Sequence, residues 1–174
     1  MYKLGFVVFA LVLFGKWDSA YCWFRVRSHV CLPTFRWQSR VLVIASPSMG
    51  DQAYQQQSRE IKSNVCEMSL RDMAVIAIFN VRDVDRSKVT WMVYQQHFGV
   101  PRTRKLNHRE AHRIVDCLGL EKDRFNMVLV GADGYKKRTY RYPTSMATIF
   151  RLIDTMPMRR REIQEQARDG IYCY

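Results

Sequence analysis

The side chains of this 174-residue chain that could carry chemistry are five cysteines, four histidines and a large surplus of arginine and lysine. Cys22, Cys31, Cys66, Cys117 and Cys173 admit three uses: a reactive thiolate, a metal site or disulfides. A reactive thiolate needs a lowered pKa, which a helix N-terminus supplies, usually in a C-x-x-C arrangement. The helix entry after the apolar run Val41 to Ala45 reads Ser46-Pro47-Ser48-Met49-Gly50-Asp51 and holds no cysteine. Cys66 and Cys117 fall at the far ends of their expected helices, where the dipole opposes a thiolate. Metal sites call for close pairs such as C-x-x-C, and the spacing here is wide. Disulfides remain. Without Cys22, the candidates Cys31, Cys66, Cys117 and Cys173 form an even set with three possible pairings.

The other reactive residue types read as ordinary structure. Ser48 has no G-x-S-x-G elbow around it and no histidine placed beside it, so it is a turn or capping serine. His108 and His112 lie four apart, a spacing that can pair two imidazoles on one helix face. They sit among Arg102, Arg104, Lys105, Arg109 and Arg113, whose charge opposes a divalent cation. Asp133-Gly134 lacks the calcium-loop pattern and is followed by Lys136-Lys137. Asp83 and Asp85 are matched by Arg82 and Arg86. No catalytic residue, metal ligand set or cofactor motif is therefore expected, and the chain reads as a non-enzyme.

The basic residues are the stronger signal. Twenty-eight Lys and Arg against sixteen Asp and Glu give a net charge of +12, which makes polyanions the natural partners. Three clusters stand out: Arg102, Arg104, Lys105, Arg109 and Arg113; Lys136, Lys137 and Arg138; and Arg159, Arg160 and Arg161. Guanidinium groups grip sulfate and carboxylate through paired N–H donors, so Arg-rich clusters suit a sulfated chain.

The compartment decides which polyanion. Leu4 to Gly15 is an uncharged apolar run of 12 residues behind Lys3, within the range of a signal-peptide core and short of the roughly 20 residues of a membrane span. Residues 1–22 are expected to be removed, leaving a secreted, extracellular chain with no transmembrane span. Nucleic acid is then disfavoured, and glycosaminoglycan or an acidic matrix protein becomes the expected partner.

The elements that must position these residues follow from periodicity. Val41 to Ala45 and Met73 to Phe79 are short apolar runs rich in β-branched residues, read as strands buried on both faces. Helix formers from Asp51 to Met68 lie between them, with Asp51 as N-cap, which suggests a right-handed βαβ unit. Asn80 to Asn107 is polar and irregular except for Val89 to Tyr94. Asn107 opens a helix from His108 to Leu118 that stops at Gly119. Phe125 to Val130 and Tyr135 to Tyr142 form a hairpin across Gly131-Ala132-Asp133-Gly134. A last helix covers Ser145 to Thr155 and breaks near Pro157, before a charged segment from Arg159 to Arg168. This layout is α/β and thioredoxin-like, with an N-terminal extension over 23–35 and the domain over 36–174.

Three stretches are more specific than the layout: Arg71-Asp72-Met73 leading into a strand, Val128 to Gly134 with Lys136-Lys137, and Ile153-Asp154-Thr155-Met156-Pro157-Met158-Arg159-Arg160. Together they resemble the thioredoxin-like domain shared by sushi-repeat-containing proteins, equarin, the coiled-coil-domain matrix protein "down-regulated by oncogenes", and single-domain secreted bacterial proteins. The resemblance covers about residues 36 to 173. It implies a thioredoxin-like or peroxiredoxin-like fold, secretion and, in animal members, association with extracellular matrix, cell adhesion and heparan sulfate. It implies no established enzyme activity. The proline that redox thioredoxins place before the third core strand is missing between Glu121 and Asn126. The expectation is a heparin-binding or matrix-binding module without redox catalysis; the alternative is a thiol-dependent oxidoreductase or peroxidase using a non-standard cysteine.

Overall fold

The computed structural model describes residues 30–80, 88–93, 102–105 and 107–173, with the backbone alone for 88–93, 102–105 and His108. The expected signal segment, Cys22, His97 and the Asp83 and Asp85 pair lie outside the described residues.

The strands are β1 (Arg40–Ser46), β2 (Met73–Phe79), β3 (Lys88–Val93), β4 (Arg102–Lys105), β5 (Asn126–Val130) and β6 (Lys136–Tyr140). The helices are α1 (Gln52–Ser63), α2 (Val65–Ser69), α3 (His108–Leu118), α4 (Met146–Asp154) and α5 (Pro157–Arg168), with one 3-10 turn at Pro33–Phe35. The sheet runs β4-β3-β2-β1-β5-β6, parallel between β1 and β2 and antiparallel elsewhere. A parallel βαβ unit, then a helix, an antiparallel hairpin and a closing helix is the thioredoxin-like order expected.

Every residue of β1, β2 and β5 is buried, which is why these strands read as unbroken apolar runs. On one face Val43, Ile76 and Val128 meet Ala111, Ile114, Val115 and Leu118 of α3. On the other, Leu42, Val75 and Met127 meet Ile61, Met68, Met146, Ile149 and Ile153 from α1, α2 and α4. The α3 ends are built as the sequence suggests. Asn107 Oδ1 accepts from Glu110 N at 2.8 Å, Glu110 Oε2 accepts from Asn107 N at 3.2 Å, and Gly119 takes the left-handed conformation that closes the helix.

Four expectations are corrected. The helix after Asp51 breaks at Asn64, so α1 and α2 are separate; Asp51 holds the N-cap position as expected, but its carboxylate accepts from Ser46 Oγ at 2.8 Å and makes no side-chain cap bond. The segment after Pro157 is a helix, because proline at the first position gives up an N–H that has no partner there anyway. Arg102–Lys105, expected to be irregular, is an edge strand on β3. The domain also begins before residue 36: Leu32 and Phe35 are buried in the α3-side core, and Cys31 is bonded to Cys117.

Candidate basic surface and the buried arginine network

The arginines divide into two populations, and only one of them faces solvent. Arg40, Arg71 and Arg159 are 2%, 9% and 3% exposed and interlock where β1 begins. Arg71 Nε and Nη2 donate to Asp154 Oδ1 and Oδ2 at 3.0 and 2.6 Å, a bidentate pair, while Nη1 donates to Glu67 Oε2 at 2.6 Å. Its guanidinium also stacks 4.4 Å from the Phe150 ring centroid. Arg159 donates to Asp154 Oδ1 at 3.1 Å, to the Leu70 carbonyl at 2.9 Å, and to Gln166 Oε1 and Glu162 Oε2 at 2.8 and 3.4 Å. Arg40 donates to the Arg71 carbonyl at 2.9 Å and to Glu162 Oε1 at 2.7 Å. Three guanidiniums face three carboxylates, Glu67, Asp154 and Glu162, so the cluster is close to neutral.

This network corrects the expectation that Arg159 belongs to the polyanion-binding set. Its side chain points inward, where i, i+3 and i+7 spacing aligns it with Glu162 and Gln166 along α5. Arg160 and Arg161 beside it are exposed, and Arg161 pairs with Glu165 at 3.4 Å. Two of the three distinctive sequence stretches thus meet in one structural lock. Arg71 and Asp154 join the turn before β2 to the end of α4, and Arg159 ties α5 to both.

Asp154 titrates accordingly. Burial alone would raise its pKa, but the hydrogen bonds and charges of Arg71 and Arg159 outweigh burial and hold it below the ordinary value of 3.8. A carboxyl depressed in the folded state lends stability that is complete above its unfolded value and is lost as pH falls through the lower native value. Urea midpoints measured from pH 7 down into the acid range should therefore fall below the ordinary carboxylate range. Asp154→Asn should start lower at neutral pH and lose part of that acid dependence.

The exposed population is spread over the molecule. Arg109 and Arg113 stand one turn apart on the outer face of α3, with exposed His112 between them and exposed Asp116 beyond. Arg102, Arg104 and Lys105 lie on the edge strand two residues before α3, their side chains outside the described residues. Lys136 is on the opposite edge strand, about 24 Å away at five strand spacings. Its Nζ nevertheless reaches the Leu118 carbonyl at 3.0 Å, closing the C-terminal end of α3 with a cation. The helix, about 16 Å long, therefore bridges the two basic edges.

The rest of the set lies elsewhere. Lys137 is engaged by Asp133 at 2.5 Å, and Arg138, paired with Leu129, belongs to the opposite face of the sheet. Arg160 and Arg161 sit on α5, on the α4 side and away from α3. Sequence reasoning gave Arg40 and Arg71 no buried role, although an arginine at the start of β1 and another two residues before β2 were visible.

The cysteines pair as Cys31 with Cys117 and Cys66 with Cys173. Cys22 lies outside the described residues. At the usual redox position, Ser46 Oγ lies 2.8 Å from Asp51 Oδ2 and 3.1 Å from the Ser48 carbonyl, and Ser48 is an exposed turn residue. Among the described residues, no three His, Cys, Asp or Glu side chains are grouped to hold a metal. No helix of the described residues is long and apolar enough to cross a membrane.

The family described as "Domain of unknown function (DUF4174)" matches residues 31–162. The chain belongs to the DUF4174 family. Coiled-coil domain-containing protein 80 of Danio rerio is 32% identical over 82% of this chain and 16% of its own length. Sushi repeat-containing protein SRPX2 of Xenopus laevis is 26% identical over 78% of this chain and 27% of its own. Sushi repeat-containing protein SRPX of Rattus norvegicus is 25% identical over 82% and 28%. The DUF4174 chain thus spans between a sixth and just over a quarter of these relatives. No solved structure matches it. The relatives are those that the three sequence stretches pointed to, and the DUF4174 match takes in Cys31 and its bonded partner Cys117.

Proposed function

We propose that this DUF4174 domain is a secreted binding module that engages sulfated glycosaminoglycan, or an acidic matrix protein, through the basic strip from β4 along α3 to Lys136. It performs no redox catalysis in this role. The observation that carries the reading is the placement of Arg109 and Arg113, exposed one turn apart on a helix that begins two residues after Arg-Thr-Arg-Lys. Two paired disulfides suit an oxidising compartment, and a net charge of +12 raises the local concentration of any polyanion. The matrix association implied by the family resemblance points the same way.

The test is retention on heparin across a salt gradient, beside a cation exchanger of matched charge density. The domain should leave heparin at clearly higher salt than it leaves the exchanger, and reversal at Arg104, Lys105 and Arg109 together should remove the difference. Equal elution from both would reduce the charge to a bulk property and overturn the glycan reading.

A further inference from the structure

We infer that Trp37 is a stacking site for a sugar ring of the glycan, with the Arg36 guanidinium beside it placed for a sulfate; this rests on the glycan reading above and adds a non-ionic contact to it. Trp37 comes just after the 3-10 turn Pro33–Phe35, where the Phe35 carbonyl accepts from both Gln38 N and Ser39 N at 3.0 Å. Its own N–H donates to the Ala132 carbonyl at 2.7 Å, which fixes it to the hairpin turn. This geometry holds Trp37 at φ +63°, a left-handed conformation that suits glycine or asparagine and penalises a bulky side chain. Burial does not offset the penalty, because Trp37 is 59% exposed. Its ring meets the exposed guanidinium of Arg36, 5.1 Å from the centroid. A large aromatic held in a strained conformation and presented to solvent is the mark of a contact site rather than of a packing residue.

The surroundings specify the occupant. An open cleft of about 470 Å³, lined by Val30, Cys31, Asp116 and Cys117, runs on from Arg113 of the basic strip. Val30 and Arg36 then close on the hairpin: a Cβ added to Gly134 would stand 2.6 Å from Val30 Cγ1 and 3.6 Å from Arg36 Cγ. Lys136, the far end of the strip, is two residues beyond Gly134. Arg36 and Trp37 therefore extend the course that Arg109 and Arg113 begin, and a linear polysaccharide following that course reaches them. Pyranose rings present apolar C–H faces that pack on the electron-rich face of an indole, and their sulfates suit paired guanidinium donors. Asp116 is the acid in the cleft wall, so sulfate is left to the two ends, Arg113 on one side and Arg36 on the other.

The experiment titrates the secreted chain with a heparin octasaccharide, following the Trp37 indole N–H resonance and the affinity across a range of salt. The resonance should move saturably. Trp37→Asn should weaken binding about tenfold and leave the slope of log Kd against log salt unchanged, because no cation is lost. Its urea midpoint should hold, since asparagine tolerates the left-handed conformation. Trp37→Phe should recover most of the affinity, and Arg36→Gln should lower the salt slope by about one ion. Full affinity in Trp37→Asn, beside an Arg109→Glu, Arg113→Glu chain that binds weakly, would overturn the stacking site and leave the glycan reading standing. Failure of the unsubstituted chain to bind the octasaccharide would overturn both. A fall in the Trp37→Asn urea midpoint would assign the indole to packing, and a changed sedimentation coefficient would assign it to contact between two copies; either result overturns the inference.

Discussion

Arg159→Ala should lower folding stability by about 3–5 kcal/mol, more than any charge change on the surface of this domain. The substitution removes the one donor that Asp154, Glu162, Gln166 and the Leu70 carbonyl share; Arg71 still serves Asp154, Arg40 still serves Glu162 and Gln166 Nε2 still serves Leu70, but two carboxylates lose a cation. Removing one partner from a buried ionic network costs far more than the net worth of the intact pair. Arg159→Lys should recover less than half of the loss, since one ammonium on a narrow stem cannot span four acceptors. A urea titration with matched slopes reads both values. Folded Arg159→Ala protein should elute from heparin with the unsubstituted domain, because Arg159 never meets solvent. A loss below about 1 kcal/mol, or a change in heparin retention, would contradict the structural role.

Replacing Cys66 and Cys173 together by serine should cost about 2–4 kcal/mol. The bridge spans 107 positions and anchors the chain after α5 to the short helix α2. Without it, the unfolded chain regains the entropy of a very long loop, and the C-terminal segment is held mainly by the Arg159 network. The two losses should therefore exceed additivity when Arg159→Ala and the cysteine pair are combined, since each ties α5 to the α2–β2 turn. Cys31 and Cys117, 86 positions apart, fasten the N-terminal turn to α3, so their replacement should loosen that side of the core instead. Hydrogen exchange separates the two cases: protection should fall in α5 for the first pair and in α3 for the second.

The sequence made the centre of this fold legible and its periphery much less so. β1, β2 and β5 announce themselves because burial on both faces demands continuous apolar runs, and α3 because its cap, apolar stripe and closing glycine agree. β4 is Arg-Thr-Arg-Lys, an edge strand with no apolar residue, so no periodicity marks it. α5 is polar on most of its circumference and opens with proline, which read as the end of the preceding helix rather than the start of a new one. The same difficulty concealed Arg159. In Met158-Arg159-Arg160-Arg161 the residue types are uniform, and only the helix that was not foreseen turns the first arginine inward and the next two outward. Cysteine pairing was open for a different reason, since four cysteines allow three connectivities and spacing alone does not choose among them. The basic clusters were visible as charge, but their grouping depends on topology: α3 brings β4 and Lys136 onto one course and leaves α5 on the far side.

That grouping is the central claim, and the most direct test compares two double charge reversals of equal size. Arg109→Glu with Arg113→Glu alters α3, whereas Arg160→Glu with Arg161→Glu alters α5, and both change net charge by the same amount. The α3 pair should shift heparin elution to much lower salt, while the α5 pair should shift it only as far as the matched cation exchanger does. Equal shifts from the two pairs would show that heparin responds to net charge alone, and the α3 strip would then not be the binding surface.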